Sequence, residues 1–139
     1  MCINRLVLIC FLSAFIWISI NPTAVSAAKN SKITLSRKEH RVLKEAQQAV
    51  NVDNLLLAEE LLLNFNQKKI SKAARALSQQ MLGNVYQTQL DYPNALIAYE
   101  KAISYKKLPL STKVTLFEQV HKLSYYLKNW EKSVYWWLK

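Results

Sequence analysis

Glycine occurs once in these 139 residues, at Gly83, and proline only three times. One glycine cannot build the run of backbone N–H groups that cradles a phosphate. A β-rich fold would also draw on more turn chemistry than this. The two cysteines, Cys2 and Cys10, stand at the very start of the sequence. The two histidines, His40 and His121, have no second His, Cys or carboxylate at metal-ligand spacing. His40 reads as a surface residue of a charged first turn, and His121 as a packed residue at a helix crossing. There is no nucleophile elbow, and Glu59, Glu60, Asp91 and Glu100 fall on positions that read as solvated helix or turn. The chain is therefore read as non-enzymatic, without cofactor or metal.

What is present begins with an apolar leader. Met1 to Arg5 carries one positive side chain, residues 6–20 are almost wholly apolar, Asn21-Pro22 breaks the helix, and Val25-Ser26-Ala27 supplies small side chains. That order predicts a secretory signal peptide over 1–27, cut after Ala27, and hence a periplasmic or secreted protein. The apolar run is shorter than the roughly 20 residues a membrane span needs; an uncleaved anchor is the alternative. Bulky Ile9 before Cys10 argues against a lipoprotein. Both cysteines would leave with the signal, so neither disulfide nor thiol chemistry is expected in the exported protein, and stability must come from helix packing.

Lysine and arginine number 19 against 9 acidic residues, a formal charge of +10. Such a balance favours nucleic acid, anionic membrane or acidic protein surfaces, and export argues against nucleic acid. The bases form short clusters at Lys29/Lys32, at Arg37/Lys38/Arg41/Lys44 and at Lys68/Lys69/Lys72/Arg75. They read as solvated helix faces, with weak contact to anionic membrane or an acidic partner as the alternative.

After a polar lead-in over 28–35, expected to be disordered, helical periodicity runs throughout. Ser36-x-x-Glu39 is a capping box opening a helix to about residue 50. A leucine-rich helix over about 54–65 has apolar residues on several sides (Leu56, Leu57, Leu61 and Leu63 beside the main stripe) and is expected to sit between neighbours. A third helix covers about 71–89. Pro93 sits in the first turn of a fourth, where its missing N–H costs nothing, and this helix reaches about residue 105. Ser111 is expected to cap a fifth helix to about 127, and Trp130 opens a sixth.

Leu82-Gly83-x-x-Tyr86 is followed by Tyr92, Ala95, Tyr99 and Ala102. Small residues fall where two antiparallel helices cross, and large ones where they diverge. The same pattern recurs 38 residues on, where Trp130, Ser133 and Trp137 match Tyr92, Ala95 and Tyr99, and 37 residues back, where Ala46, Ala58 and Leu62 match Gly83, Ala95 and Tyr99. The spacing resembles the tetratricopeptide repeat (TPR), a helix–turn–helix unit of about 34 residues. It implies an all-α, TPR-like α-solenoid of three antiparallel helix pairs, at about 36–66, 71–107 and 111–139, with Tyr86, Tyr92, Tyr99, Trp130 and Trp137 packed in the interlock.

The resemblance also implies function. TPR arrays bind extended peptides or helices in a groove lined by the first helix of each pair. Carried over from Gly83, the groove positions are Gln80, Asn84, Gln87 and Thr88 in the second unit. They are Glu118, Lys122, Tyr125 and Tyr126 in the third, and Gln47 and Asn51 in the first. Gln80 stands where a carboxylate clamp would place a base, so an amide-and-aromatic groove is expected, suited to a peptide backbone. The layout is similar to the exported TPR proteins that accompany TonB-type energy-transduction systems. The expected role is a protein–protein adaptor of the bacterial envelope; the alternative is a basic membrane- or wall-associated structural protein acting by charge. The last helix, with Val134, Tyr135, Trp136, Trp137 and Leu138, offers no polar cap for the stack. A truncated longer array is the favoured explanation; self-association through this aromatic face and partner docking are the others.

Overall fold

Capping chemistry sets the helix boundaries. The computed structural model describes residues 33–139, so the expected signal peptide and its cleavage site lie outside the described residues. Six helices follow, α1 (Arg37–Asn51), α2 (Leu55–Gln67), α3 (Lys72–Thr88), α4 (Tyr92–Ser104), α5 (Leu110–Tyr126) and α6 (Trp130–Trp137), and no strand occurs among the described residues. Ser36 and Ser71 cap α1 and α3. Asn54, Asp91 and Asn129 cap α2, α4 and α6, each accepting from the backbone N–H three residues on. The fifth helix departs from expectation: it starts two residues early, after Pro109, with no side-chain cap, and Ser111 lies inside it. Leu108, 2% exposed, anchors that entry by burial instead.

The turn inside each pair is the same object three times. Asp53, Leu90 and Lys128 take left-handed backbone angles, with φ of 57°, 62° and 60°. The next residue, the Asx cap, donates its N–H back to Ala49, Tyr86 or Ser124, at 2.8 Å in every case. This is the Schellman closure, which satisfies the last carbonyls of one helix, and its second member at once caps the next. Three antiparallel hairpins result, α1–α2, α3–α4 and α5–α6, with α2 against α3 and α4 against α5 joining them into a repeat-like stack. All the hairpin turns lie at one edge. At the other edge lie the linkers 68–71 and 105–109 and the entry of the chain at Ile33.

Two buried clusters form the core, one from α1, α2 and α3 with Ala98 of α4, and one from α4 and α5 with Ala76 of α3 and Leu108 of the linker; Leu77 and Tyr86 pack against both. Leu35 also packs on the first cluster, so this end of the lead-in belongs to the fold and is not a loose tail. α2 contacts only α1 and α3. It sits between these two neighbours, as its apolar sides lead one to expect, but they leave Leu56, Leu57 and Leu63 exposed.

The interlock is tightest in the central hairpin. Gly83 faces the Tyr99 ring so closely that a Cβ built there would lie 2.9 Å from Tyr99 Cζ and nearer still to Cδ1 and Cε1. Tyr99 is 1% exposed and has nowhere to retreat. In the first hairpin the corresponding pair, Ala46 and Leu62, is fully buried. In the third the partners are His121 and Trp137, and here the expectation fails: Trp137 is 70% and Trp130 53% exposed. The His121 imidazole fills the space that Gly83 leaves open. It bonds Ser133 through Nδ1 (2.9 Å to the carbonyl oxygen, 3.0 Å to Oγ), and the Trp137 indole is displaced onto its outer side, centroids 5.2 Å apart. Trp136 is the tryptophan that packs inward, stacked on Phe117 and donating its indole N–H to Glu100. Glu100, which also takes Lys132 at 3.1 Å, is thus a tie between α4 and α6 and not a solvated carboxylate.

A second tie joins the first two hairpins. The Glu39 carboxylate accepts from Ser36 N–H at 2.8 Å, completing the capping box, and from Ser71 N–H at 2.7 Å, reaching the start of α3. The Ser71 and Ser36 backbone N–H groups hold its pKa down to about 2, from 4.5.

Two stability measurements test these contacts. Gly83→Ala should destabilise the protein by about 1–3 kcal/mol through overpacking. The same change in a Tyr99→Leu background, which rebuilds the Ala/Leu pairing of the first hairpin, should cost little or nothing; the urea-unfolding cycle reads the difference. Because the folded pKa of Glu39 is depressed, its contribution is complete above about pH 4.5 and fades as pH falls toward 2. Glu39→Gln replaces two charge-assisted acceptor oxygens with one neutral one, which should cost about 1 kcal/mol at neutral pH and flatten the acid limb of the stability profile.

Candidate functional site

The groove positions on α3 are organised around the phenol of Tyr99. Gly83 lets the ring lie flat in the helix crossing, and its hydroxyl emerges on the far side of α3. There it reaches Asn84 Oδ1 and Gln87 Oε1, each at 2.8 Å. Burial pushes the Tyr99 pKa up to about 12, so the hydroxyl stays protonated, and its single proton serves one of these oxygens at a time. Gln87 Nε2 carries the line onward to Gln119 Oε1 on α5, at 3.4 Å. The row Asn84–Tyr99–Gln87–Gln119 therefore links α4, α3 and α5. Asn84 is exposed, and its Nδ2 has no protein partner among the described residues. Gln80 lies one turn earlier, half-buried, and takes no part in the row. Thr88 turns its hydroxyl onto the Asn84 carbonyl oxygen, within its own helix.

The remaining groove positions divide. Tyr125, 61% exposed, sets its ring edge-on to Trp130 at 5.0 Å. Tyr126 does the same with Tyr92 at 4.8 Å. Together they make an aromatic patch on the hairpin-turn edge of α4, α5 and α6. Lys122 faces elsewhere: with Phe117, His121, Trp136 and Trp137 it lines an open cavity of about 550 Å³ on the outer face of the third hairpin. In the first unit, Gln47 Nε2 donates to Asn51 Oδ1 at 3.0 Å, an exposed amide pair on α1. The structure thus brings Asn84 and Gln87 together, sets Tyr125 in an aromatic patch, and places Lys122 at a separate cavity. The role of the Tyr99 hydroxyl and of Gln119 was not anticipated. The signal was there: an interlock ring as long as tyrosine, opposite a glycine, must put its hydroxyl beyond the helix it crosses. On the hairpin-turn side, Gln89 Nε2 donates to Glu59 at 3.2 Å, and burial and then the Glu59 charge raise the Tyr86 pKa.

The charges are sorted by edge. The linker edge and its adjoining turns carry Arg37, Lys38, Arg41, Lys68, Lys69, Lys72, Arg75, Lys101, Lys106, Lys107 and Lys113. Among the described residues the carboxylates in this zone are Glu39, committed to the backbone of Ser36 and Ser71, and Glu100 near the end of α4, committed to Lys132 and Trp136. The hairpin-turn edge carries Asp53, Glu59, Glu60, Asp91 and Glu131 against Lys122, Lys128 and Lys132. The ion pairs among the described residues are Arg41–Glu45 and Lys132–Glu100, so ten of the eleven linker-edge cations have no carboxylate partner there. No described helix is long and apolar enough to cross a membrane.

Comparison with known proteins adds no relative to this picture: no protein-family model, curated protein or solved structure matches the chain.

Proposed function

We propose that this protein is a non-enzymatic adaptor of the bacterial cell envelope, a TPR-like solenoid delivered by its N-terminal signal, which binds an extended peptide or a helix of another envelope protein. The recognition face is the one carrying Gln80, Asn84 and Gln87, with Tyr125 beside it. The observation that carries the reading is the Asn84 amide, exposed on α3 and steadied through Oδ1 by the buried Tyr99 phenol. An amide held at one end and free at the other is organised in advance to bond a peptide carbonyl, and ordering it on binding costs little entropy. The aromatic edges of Tyr125 and Tyr126 supply rigid apolar area next to it.

The test uses separate variants. Asn84→Ala leaves Gln87 to accept from Tyr99, so helical content and unfolding midpoint should stay close to wild type. Affinity for the envelope partner captured by the wild-type protein should fall roughly three- to tenfold, the worth of one hydrogen bond. Tyr125→Ala should weaken it further, and raising salt from about 50 to about 300 mM should change it little, because groove contacts are not screened as surface charge is. Undiminished capture by Asn84→Ala would refute the assignment.

A further inference from the structure

We propose that the linker edge is a docking surface for an anionic lipid bilayer. Three separate parts of the chain converge there: the entry at Ile33 and Thr34, the start of α3, and the α4–α5 linker. Together they line a notch of about 400 Å³ that includes Lys72, Lys106 and Lys107. Lys68 and Lys69 stand exposed on the neighbouring linker. Eight of the eleven cations of this edge are lysines. Lysine is a hydrated point charge on a flexible stem, with none of the planar fork that reads a fixed phosphate or base. Such groups suit the shifting phosphates of a headgroup layer. A nucleic acid would call for aromatic stacking platforms, and Tyr105, half-buried, is the one aromatic among the α2–α3 and α4–α5 linker residues. The opposite edge carries the excess of acidic groups, so an anionic plane attracts one end of the molecule and repels the other.

The direction of the chain agrees. The described residues begin at this edge, and the apolar run over 6–20 precedes Ile33 by about a dozen residues, a reach of roughly 40 Å when fully extended.

The experiment measures binding of the protein, in the length recovered from expressing cells, to two kinds of vesicle. One is pure phosphatidylcholine; the other contains about 30% phosphatidylglycerol in phosphatidylethanolamine. The neutral vesicles report whatever the apolar run contributes by itself. Stronger binding to the anionic vesicles, falling steeply between about 50 and about 300 mM NaCl, is expected. Lys68→Glu/Lys69→Glu/Lys106→Glu/Lys107→Glu should lose at least a hundredfold in partition coefficient, since each lysine near such a surface is worth about fivefold. Lys122→Glu/Lys128→Glu, on the opposite edge, should bind as wild type does. Equal binding to both vesicles, no salt dependence of the wild-type protein, or wild-type binding by the quadruple variant would overturn the proposal. So would tighter binding to duplex DNA than to the anionic vesicles at the same salt. Where the quadruple variant does not fold, the pairs Lys68→Ala/Lys69→Ala and Lys106→Ala/Lys107→Ala decide it separately: each should lose about 25-fold in partition coefficient, and wild-type binding by both would overturn the proposal.

Discussion

The close crossing of α3 and α4 depends on one missing methyl group. Tyr99 is buried because Gly83 has no side chain, and its ring packs into the second core cluster, the side of the stack that joins α4 to α5. The same two positions in the other hairpins show the constraint as a matter of total size. Alanine with leucine fits and is fully buried; glycine with tyrosine fits; histidine with tryptophan does not, and the tryptophan is left outside at 70% exposure. Interiors close-packed to this degree tolerate exchange of volume between partners but not its addition. The phenol also does what leucine cannot: it carries a polar atom from the core to the surface, where Asn84 and Gln87 hold it. Core geometry and candidate recognition face are therefore one structure, and a change at Gly83 would be felt at Asn84.

The sole glycine is spent on that crossing, so every reversal of direction is made without one. A non-glycine residue in left-handed conformation costs of order 1–3 kcal/mol, and Asp53, Leu90 and Lys128 all adopt it. The offset comes from the residue that follows. Asn54, Asp91 and Asn129 each close the preceding helix through backbone N–H and open the next through a side-chain oxygen. One Asx residue serving two helix ends explains why the turns are short and alike. It also explains why the hairpins keep a common geometry although their interlock residues differ so much.

Much of this was legible in the sequence because it is local. Ser36, Ser71, Asp91 and the 3.6-residue periodicity of α1 to α4 act within a few residues, and helix ends follow them closely. Ser111 misled because a hydroxyl is the commoner cap; at Pro109 the long-range burial of Leu108 decides the boundary instead. What stayed hidden is non-local. The bond from Glu39 to Ser71 spans 32 residues and that from Trp136 to Glu100 spans 36. Neither leaves a signature in spacing, since any carboxylate on a helix reads as solvated until its neighbour is known. The outward turn of Trp137 was missed for the opposite reason. The aromatic spacing was right and His121 stands in the sequence where the repeat usually has glycine, but the spacing along one helix does not add the volume of that imidazole to the tryptophan opposite.

Charge obeys a similar logic one level up. In sequence the basic residues look scattered, because α-hairpins return the chain to the same edge only every 37 or 38 residues. Folding gathers Lys68/Lys69 with Lys106/Lys107 and with the first turn of α1, and sends Asp53, Asp91 and Glu131 to the other end. Asn84 and Gln87 belong to the last turns of α3, and Tyr125 to the last turn of α5, all nearer the acidic end. A bilayer at the linker edge would therefore leave the amide row and the aromatic patch facing away from the lipid, open to a protein arriving from the aqueous side. The two proposed surfaces do not compete for space. The α-hairpin, which puts both termini of each pair at one edge and its turn at the other, is what keeps them apart.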